Sequence, residues 1–534
     1  MPLLSWIKSV LVIGSGAVVI GQAAEFDYAG SQACLSLREE GIRTVLLNNN
    51  PATIQTDRNI ADRIYIEPIT PEVVERIITE EKIDAILATM GGQTALNLAI
   101  ALERGGILKK YGIKIIGTDV PSIQVAEDRE RFHELMEKIN EPVAPSLRLS
   151  ADTYSRLNRE INFFPIIVRT SFSLGGLGGT IVRNVDELNS LCDEYFRIYP
   201  DQTLEIEKSL EGLKELEYEV IRDNAGNCII VCNMENLDPM GVHTGESIVV
   251  TPSQTLSDIE YHMLRDSAIH VISSIGILGA CNIQFALDSE SGKYYVVEVN
   301  PRTSRSSALA SKASGYPIAR ISAKIAVGYN LNEIINPITG NTYAAFEPSL
   351  DYVTVKIPRW PFDKLPVSRK IGVQMKSIGE VMGIGRTFEE ALMKAISSLE
   401  NQDSRRIRMP VDDSTLEDLI REPSDQRLFA IFEALLRGWA PEKVAQMCGY
   451  PRYFIIKIKN ITDLLTEITY GEMPGNLHEL KSSGISDLAI SAFSGLSEES
   501  LTGRRFELGI LPVYKSIDTC SGEFPARTPY LYST

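Results

Sequence analysis

Apolar and polar residues follow one another along the first hundred positions in a repeating order of segments. A short apolar run at 10–13 precedes a glycine-rich turn, a segment with helical spacing and a second apolar run at 43–47. Strand, turn, helix and strand in this order predict a βαβ unit and a parallel sheet. The next helix–strand pair ends in a Gly91–Gly92 turn, so we expect a first α/β domain over residues 1–117.

The glycine turn of this unit is a candidate dinucleotide site. Its glycines, Gly14, Gly16 and Gly21, have the spacing G-x-G-x4-G rather than G-x-G-x-x-G. The second strand ends in Asn48–Asn50, without the acidic residue that binds a ribose hydroxyl in such sites. The sequence therefore disfavours NAD binding.

A second glycine-rich segment follows a charged amphipathic helix that we expect over residues 126–140. Four glycines separate two strand-like runs, PIIVRT and TIVRN: Gly175, Gly176, Gly178 and Gly179. The simpler interpretation is a plain hairpin tip. Dense glycine, however, lets backbone N–H groups cradle phosphate oxygens. We favour a phosphate-covering lid, with Arg169 just upstream as its charge partner.

The chain then forms a predicted strand, a bend at Ser209–Leu210 and a second predicted strand that contains Glu215, Glu217 and Glu219. Strand side chains alternate between faces, so these three acids share one face. An ordinary solvated face is the expectation for them. His243 stands among oxygen-rich residues, but a lone histidine is more often structural than catalytic.

Residues 281–300 have the pattern of a β-hairpin, with two apolar β-rich runs around the turn DSESGK. Glu298 and Asn300 point to the same face, and a turn centred on Ser291 sets Gln284 opposite Glu298. One carboxylate and two amide oxygens form the all-oxygen ligand set that a hard cation such as Mg²⁺ prefers.

Arg302 follows this hairpin directly and is a planar cation suited to carboxylate, bicarbonate or phosphate. The alternative is the polar face of an ordinary surface hairpin, which is the better interpretation for any one of these residues alone. Four convergent polar groups favour a metal–phosphate site.

The chain changes character after residue 400. A polar linker leads to a segment in which Ser424 is expected to cap a helix and five apolar residues share one face: Leu428, Ile431, Phe432, Leu435 and Leu436. Further amphipathic segments follow, so residues 401–534 predict a small helical domain. It contains no catalytic cluster, and packing or assembly is its expected role.

Composition narrows the classes of function. The 534 residues are 44% hydrophobic and 23% charged, which is ordinary for a globular protein of several domains. A net charge of −17, with Lys and Arg spread evenly, argues against nucleic-acid binding. Seven scattered cysteines predict reduced thiols in the cytoplasm, and the longest apolar stretch is too short to cross a membrane.

Several motifs together resemble one family, the carbamoyl-phosphate synthetase large chain, and specifically its N-terminal half. They cover nearly the whole sequence: GQAAEFDYAGSQAC, NPATIQTD, MGGQTALN, RTSFSLGGLGG, MGVHTGES, CNIQFA, EVNPRTSRSSALASKASGYP and KSIGEVMGIGRT. The tail, ending LPVYKSIDTCSGEFPARTPYLYST, resembles the family's oligomerisation domain.

The resemblance implies an α/β architecture of a preATP-grasp, Rossmann-like domain (1–117) and an ATP-grasp domain (118–400), followed by a small all-α oligomerisation domain (401–534). Within the ATP-grasp domain, a glycine-rich lid is expected at about 130–208 and a palm at 209–400.

The implied activity is that of a ligase. Bicarbonate attacks the γ-phosphate of ATP to give carboxyphosphate, and ammonia then displaces phosphate to give carbamate, for carbamoyl phosphate synthesis in the pyrimidine and arginine pathways. The implied cofactors are Mg²⁺ or Mn²⁺ and K⁺. The implied partners are a glutaminase small subunit, a C-terminal half (a separate chain or a further segment) and further copies of the chain.

The resemblance also assigns residues. Its metal ligands are Gln284, Glu298 and Asn300. Its ATP contacts are Arg129, Arg169, Gly175, Gly176, Lys208, Leu210, Glu215, Gly241, Val242, His243, Gln284 and Glu298. Its bicarbonate or carboxyphosphate contact is Arg302, and the catalytic group is Arg302, His243, Glu298 and Asn300. Its K⁺ site is Glu215, Asn236, Asp238 and Ser247, and its ammonia passage begins at Glu217 and Cys232.

Two other functions compete with this one. Another ATP-grasp carboxylase or ligase, such as a biotin carboxylase, would lack GQAAEFDYAG and the helical tail. A non-catalytic scaffold that binds nucleotide would tolerate loss of Glu298 or Arg302, yet both are present. Bicarbonate-dependent ATP hydrolysis separates the enzyme from the scaffold.

Overall fold

A computed structural model gives the structure of the chain. It describes residues 4–17, 25–157, 161–170, 180–362, 364, 367–399, 407–528 and 530–534. All seven cysteines are free thiols, six of them buried and Cys228 partly buried. Among the described residues, no helix combines the length and apolar content needed to cross a bilayer.

The first α/β unit is a five-stranded parallel sheet with strand order β3-β2-β1-β4-β5. This confirms the predicted parallel sheet. Its strands are β1 (Ser9–Ile13), β2 (Arg43–Leu47), β3 (Arg63–Tyr65), β4 (Ala85–Leu87) and β5 (Lys114–Ile116). Its helices are α1 (Glu25–Glu39), α2 (Pro71–Glu81), α3 (Gly92–Arg104) and α4 (Ile107–Tyr111). Separate apolar clusters cover the two faces, as expected for strands that are apolar throughout.

Two short helices, α5 (Val120–Glu127) and α6 (Arg129–Lys138), link this sheet to the next. The charged helix predicted over 126–140 is confirmed as α6, but its predicted start was wrong, because residues 126–127 end the preceding helix α5. The chain is extended at Asp128, whose carboxylate accepts a hydrogen bond from the Arg131 N–H and caps α6. The sequence pattern does not reveal this break, because a capping Asp looks like one more charged residue of a continuous charged helix.

A small four-stranded sheet follows, with order β6-β9-β7-β8. Its elements are β6 (Ser146–Ser150), α7 (Ala151–Leu157), β7 (Ile166–Thr170), β8 (Thr180–Val182), α8 (Val185–Ile198) and β9 (Thr203–Lys208). β7 and β8 pair antiparallel around the predicted glycine loop, as expected of the two strand-like runs. Gly175, Gly176, Gly178 and Gly179 lie outside the described residues, so the lid stays a prediction.

The largest sheet has seven antiparallel strands in the order β14-β13-β10-β11-β12-β15-β16. They are β10 (Lys214–Arg222), β11 (Cys228–Asn236), β12 (Val249–Thr251), β13 (Gly279–Leu287), β14 (Tyr294–Asn300), β15 (Val353–Arg359) and β16 (Gly379–Gly385). Its helices are α9 (Asp258–Ile275), α10 (Arg305–Ser314), α11 (Ile318–Ala326) and α12 (Phe388–Ser397). α9 packs on one face, while α10 and α11 cover part of the other.

The rest of the chain is mainly helical and shares one apolar core with α12, β12 and β15. Its helices are α13 (Asp413–Arg421), α14 (Arg427–Leu436), α15 (Pro441–Cys448), α16 (Arg452–Thr466), α17 (Leu477–Ser482), α18 (Asp487–Ser494) and α19 (Glu498–Glu507). The predicted apolar face of α14 is buried, but the expected cap was wrong. α14 starts after Gln426, and the Ser424 hydroxyl instead accepts a hydrogen bond from the Gln426 N–H before the helix.

The chain ends in a two-stranded ribbon, β17 (Tyr514–Ser516) and β18 (Leu531–Ser533), which the helical interpretation of the tail did not anticipate. Ile517 and Tyr532 pack against Tyr352 and Ile384 of the seven-stranded sheet. The domain boundaries at residues 117 and 400 stay predictions. The helical region shares its apolar core with α12, β12 and β15, so it packs directly against the seven-stranded sheet.

Candidate functional site

Two rows of polar side chains cross the edge of the seven-stranded sheet. In the first row, Glu217 of β10 pairs with Gln284 of β13, which pairs with Glu298 of β14. Residues paired across antiparallel strands point to the same face. The predicted pairing of Gln284 with Glu298 is therefore confirmed, and the row extends one strand further than the sequence indicated.

This pairing depends on a β-bulge. Nearer the turn, Phe285 pairs with Val296. If that register continued unchanged, Gln284 would lie opposite Val297. The ladder shifts by one residue here, so Val297 is the extra residue of the bulge. The shift restores the predicted pair, which the turn alone would not have produced.

The second row is held by hydrogen bonds. Asn300 Nδ2 donates to Asn282 Oδ1 at 2.9 Å and to Glu298 Oε1 at 3.1 Å. Asn282 Nδ2 donates to Ser304 Oγ at 2.8 Å and lies 3.5 Å from Glu219 Oε1. Ser307 Oγ also donates to Glu219, at 2.8 Å. The start of α10 is thereby connected to the predicted metal-binding strand.

The expectation that Glu215, Glu217 and Glu219 form a solvated face was wrong. Their exposed fractions are 5%, 2% and 1%, because β10 is an inner strand and helix α10 covers this face near Glu219. Burial raises the pKa of Glu215 to about 8 and that of Glu217 to about 7. Burial, together with the charge of Glu217, raises the pKa of Glu219 well above its usual range.

His243 lies in a short loop beside these rows. Its Nδ1 accepts a hydrogen bond from the Gly245 N–H at 2.9 Å, and its backbone N–H donates to the Gly372 carbonyl at 2.9 Å. Burial lowers the pKa of His243, and Glu298 acts in the opposite direction. The ring is thus neutral with its proton on Nε2, available as a donor.

The preceding glycine allows this loop to form. Gly241 has φ +115°, a conformation that L side chains rarely adopt. Val242 is buried against Trp360, Phe362 and Ile371. The three predicted residues 241–243 therefore lie in a well-packed loop between β11 and β12.

An apolar cluster lies at the predicted hinge between the two sheets. Leu210 is buried with Ala144 and Ala286, and their partly buried neighbours are Leu213, Met240, Tyr295 and Val297. Lys208 lies over the Tyr295 ring, 5.3 Å from its centroid. Apolar side chains with a cation at their edge have the chemistry to pack against a heteroaromatic ring.

The two predicted phosphate-binding arginines converge on one carboxylate. Arg129 and Arg169 each approach Glu207 Oε2 at 3.0 Å. Burial lowers the pKa of Arg169, and the charge of Arg129 lowers it further. Glu205 also lies 3.9 Å from Arg129, so two arginines face two carboxylates, and a phosphate would have to exchange with these acids.

Arg302 ends the polar rows. Its Nη2 donates to Asn300 Oδ1 at 3.1 Å, and the guanidinium lies 5.8 Å from the centre of the Phe26 ring of α1. Its Nε is buried and has no hydrogen-bond partner among the described residues. A buried donor without an acceptor is costly, and an anionic ligand would satisfy it.

The contacts of the predicted K⁺ quartet differ from member to member. Asp238 Oδ2 accepts a hydrogen bond from Ser247 at 2.9 Å, whereas Asn236 Oδ1 lies 3.2 Å from the Thr244 hydroxyl. Asp238 also forms a buried ion pair with Arg427 of α14 at 2.9 Å. Because a cation already neutralises Asp238, this carboxylate fits a K⁺ site less well than Glu215 does.

The predicted start of the ammonia passage, Glu217 and Cys232, lies on the buried side of the rows. Cys232 pairs with Glu219 across β10 and β11 and shares its face. Thr244 Oγ1 lies 3.4 Å from Glu217 Oε2 and 3.2 Å from Asn236 Oδ1. Glu217 Oε1 and Asn236 Nδ2 are buried without hydrogen-bond partners among the described residues.

The donor chemistry where the two rows meet β14 fits a hard cation, because Gln284, Glu298 and Asn300 present amide and carboxylate oxygens on one face. The described residues contain no group of three His, Cys, Asp or Glu side chains that would form a metal site from those residue types alone. Amide oxygens would therefore have to complete the set.

Sequence reasoning missed the contribution of the first α/β unit. Phe26, Thr89, Gln93 and Glu127 all lie around Arg302 and its neighbour Thr303. The motif MGGQTALN contains Gln93, and AEDRE contains Glu127, but nothing in their spacing indicates which distant strand they approach. Only the packing of the two sheets brings them together.

Three family models match consecutive parts of the chain. They describe the carbamoyl phosphate synthase preATP-grasp domain (6–125), the carbamoyl-phosphate synthase L chain ATP binding domain (128–334) and the carbamoyl-phosphate synthetase large chain oligomerisation domain (380–509).

Solved structures with low sequence identity share the fold. A Campylobacter jejuni biotin carboxylase is 20% identical, with a TM-score of 0.54, over 74% of this chain and 91% of its own. An N5-carboxyaminoimidazole ribonucleotide synthetase is 15% identical, with a TM-score of 0.54, over 74% and 97%. The α/β fold is thus the predicted preATP-grasp and ATP-grasp arrangement, with a helical region after it.

Relatives with higher identity cover the whole chain. The carbamoyl phosphate synthase large chain of Thermoplasma acidophilum is 64% identical over 534 residues, and this chain spans 51% of its length. The chain matches 97% of the "carbamoyl phosphate synthase large chain, N-terminal section" of Methanopyrus kandleri at 50% identity. The chain therefore belongs to the carbamoyl-phosphate synthase large-chain family and corresponds to its N-terminal half.

Proposed function

We propose that this chain uses ATP to phosphorylate bicarbonate and then joins the resulting carboxyphosphate to ammonia, giving carbamate. The observation that carries this proposal is Arg302, a partly buried guanidinium with an unsatisfied Nε at the end of an oxygen-rich row. A fixed cation beside oxygen ligands can hold a small anion against a metal-bound phosphate.

The metal would be held by Gln284, Glu298 and Asn300. Mg²⁺ or Mn²⁺ bound there would offset the charge that develops during phosphoryl transfer. Within the chain, Asn300 connects this set to Arg302 through a hydrogen bond of 3.1 Å. A shift of Asn300 would therefore move both the proposed metal site and the arginine that would bind bicarbonate.

ATP would lie between the two sheets. The adenine would pack against the apolar cluster of Leu210, with Lys208 at its edge and Glu215 near the ribose. Arg129 and Arg169 would exchange part of their contact with Glu207 for contacts with phosphate oxygens. The lid glycines Gly175 and Gly176 would cover the phosphates. Gly241, Val242 and the Nε2–H of His243 would form the opposite wall.

Ammonia would reach the site from the buried side. The unpaired Glu217 Oε1 can accept a hydrogen bond from ammonia, and Cys232 lines the same face. A buried acid with a pKa of about 7 can accept and return a proton near neutral pH. Glu215, with Asn236, is the better-suited part of the K⁺ quartet, and Ser247 and Asp238 would complete it only if Asp238 left Arg427.

The family relationship also supplies the proposed partners. The chain spans about half the length of relatives named as complete large chains, so a C-terminal half would phosphorylate carbamate. A glutaminase small subunit would supply ammonia, further copies of the chain would pack through the helical region, and the cytoplasm is the proposed location. The carbamoyl phosphate made with that half would serve pyrimidine or arginine synthesis.

Bicarbonate-dependent ATP hydrolysis by the purified 534-residue chain tests the proposal. With Mg²⁺ and K⁺, added bicarbonate should stimulate ADP formation, and Glu298→Gln should lower this turnover by about 100- to 1000-fold because charge stabilisation is lost. Glu290→Gln, in the exposed hairpin turn, is the matched control and should retain activity.

The outcomes separate the competing functions. ATP binding with no bicarbonate-stimulated turnover would contradict the enzyme and leave a nucleotide-binding scaffold. Turnover that requires biotin as acceptor instead of ammonia would indicate another ATP-grasp carboxylase.

A further inference from the structure

Glu127 is an acid of the first linker whose charge acts on Arg302 without a direct ion pair between the two among the described residues. It is the last residue of α5, immediately before the break at Asp128. Gln93 Nε2 donates a hydrogen bond to Glu127 Oε2 at 2.6 Å. Among the described residues, Oε1 of the same carboxylate has no hydrogen-bond donor, and the side chain is open to solvent.

Backbone contacts fix this acid relative to Arg302. The N–H and hydroxyl of Thr303 both donate to the Thr89 carbonyl, at 3.1 and 3.2 Å. Thr89 immediately precedes the turn that begins α3, on which Gln93 lies. A Cβ added to Gly92, which has φ +63°, would lie 3.1 Å from the Phe26 ring beneath Arg302. The segment that orients Glu127 is thus docked against the arginine loop.

Three acids act on the charge of Arg302: Glu127 most strongly, then Glu298 and Glu219. Glu219 is buried and accepts hydrogen bonds from Ser304 and Ser307, so a ligand cannot reach it. Glu298 accepts a hydrogen bond from Asn300 and belongs to the proposed metal set. Glu298 is also exposed and its Oε2 has no donor among the described residues, but it belongs to the proposed metal set, so Glu127 is the accessible acid outside that set.

The electrostatic setting suits a base. The protein around the cleft partly desolvates the Glu127 carboxylate and raises its pKa, while Arg302 and the Gln93 hydrogen bond oppose this rise. A carboxylate whose pKa moves towards neutrality is a more effective proton acceptor than an ordinary surface acid.

We propose that Glu127 is a catalytic residue of this site and accepts the hydroxyl proton of bicarbonate. The inference rests on the proposed function. A bicarbonate oxygen forms the new bond to the γ-phosphorus, and the bond between that phosphorus and the β–γ bridging oxygen breaks to release ADP. The hydroxyl proton moves to Glu127 Oε1, which leaves carboxyphosphate fully ionised and electrostatically held by Arg302.

Steady-state kinetics of Glu127→Gln in the full chain tests this role. Bicarbonate-dependent kcat should fall by about 100-fold, the usual contribution of a general base, while the KM for bicarbonate and the Kd for ATP change little. Glu130→Gln is the matched control, since Glu130 is an exposed acid on α6 whose contact is a surface pair with Arg148. It should retain wild-type kcat.

Glu127→Ala provides a second test. Formate added in solution should restore part of its turnover by replacing the missing carboxylate, and should not restore Glu298→Gln. A Glu127→Gln enzyme with wild-type kcat would overturn the inference, as would a raised bicarbonate KM with unchanged kcat or a Glu127→Ala enzyme that formate does not rescue. Absence of bicarbonate-dependent turnover in the wild-type chain would instead overturn the proposed function, and this inference with it.

Discussion

The two ends of the same polar row differ in almost every physical property except residue type. Glu298 lies on the edge strand β14 and is exposed to the cleft, whereas Glu217, two strands away in the same row, has an exposed fraction of 2%. The row is continuous through Gln284. Position within the sheet, rather than residue type, therefore decides whether a glutamate can meet a ligand in water or titrates in the protein interior.

The buried end is stabilised by a network rather than by solvent. Lys356 is buried nearby and donates to the Thr244 carbonyl at 3.2 Å. Thr244 contacts Glu217, and Ser304 and Ser307 hold Glu219. Burying an acid is tolerable only where such donors replace water, so changes at the two ends should affect different measurements.

The largest effect on stability is expected at Glu219. Glu219→Ala removes the acceptor of two serine hydroxyls and leaves a buried cavity, which should lower the free energy of unfolding by about 3 kcal/mol. Urea unfolding followed by circular dichroism measures this. Glu290→Ala in the exposed turn should stay within about 0.5 kcal/mol of wild type, and an equal loss in both variants would refute the contrast between the two ends.

The second-largest difference between the buried and the exposed end of the row is expected in the pH dependence of stability. Glu217 has an ordinary value of 4.5 and a folded pKa of about 7, so between these values the folded chain keeps a proton that the unfolded chain has lost. Stability therefore falls as pH rises through this window, by about 3 kcal/mol from this one group.

Glu217→Gln should flatten that decline, as measured by urea unfolding at several pH values from about 5 to 8. Glu290→Gln serves as the control, because this exposed acid lies in the hairpin turn, outside the polar row. The same slope in wild type and Glu217→Gln would mean that Glu217 titrates as it does in water.

The smallest effect is expected at Thr244. Thr244→Val removes a hydroxyl that contacts Asn236 and Glu217, and should lower the free energy of unfolding by about 1 kcal/mol. Thr79→Val, at an exposed position on α2, is a control of the same size change. Equal urea midpoints for the two variants would show that the Thr244 hydroxyl contributes no net stability.

Sequence patterns were most informative where the physics is local. The hairpin of β13 and β14 follows from β-rich runs around a turn, and the parallel first sheet follows from the order of its segments. The burial of Glu217 could not be predicted, because alternating acids read as a solvated face unless the strands and helix around β10 are known.

The contacts of Arg302 show a second limit. Phe26 and Glu127 reach it from sequence positions far away, and no periodicity encodes that approach. Likewise, the break at Asp128 replaces one predicted helix with two, since a capping side chain outweighs a continuous amphipathic pattern. Long-range packing and single capping residues account for most of what sequence reasoning missed.

The bulge at Val297 separates two demands on one strand. Glu298 must stay opposite Gln284 for the oxygen row, while the extra residue packs its side chain against the apolar cluster of Leu210. A regular strand would have to trade one demand against the other, because its alternation fixes both at once. With a spare residue inserted between them, the fit to a base and the geometry of the ligand row can be altered independently over evolutionary time.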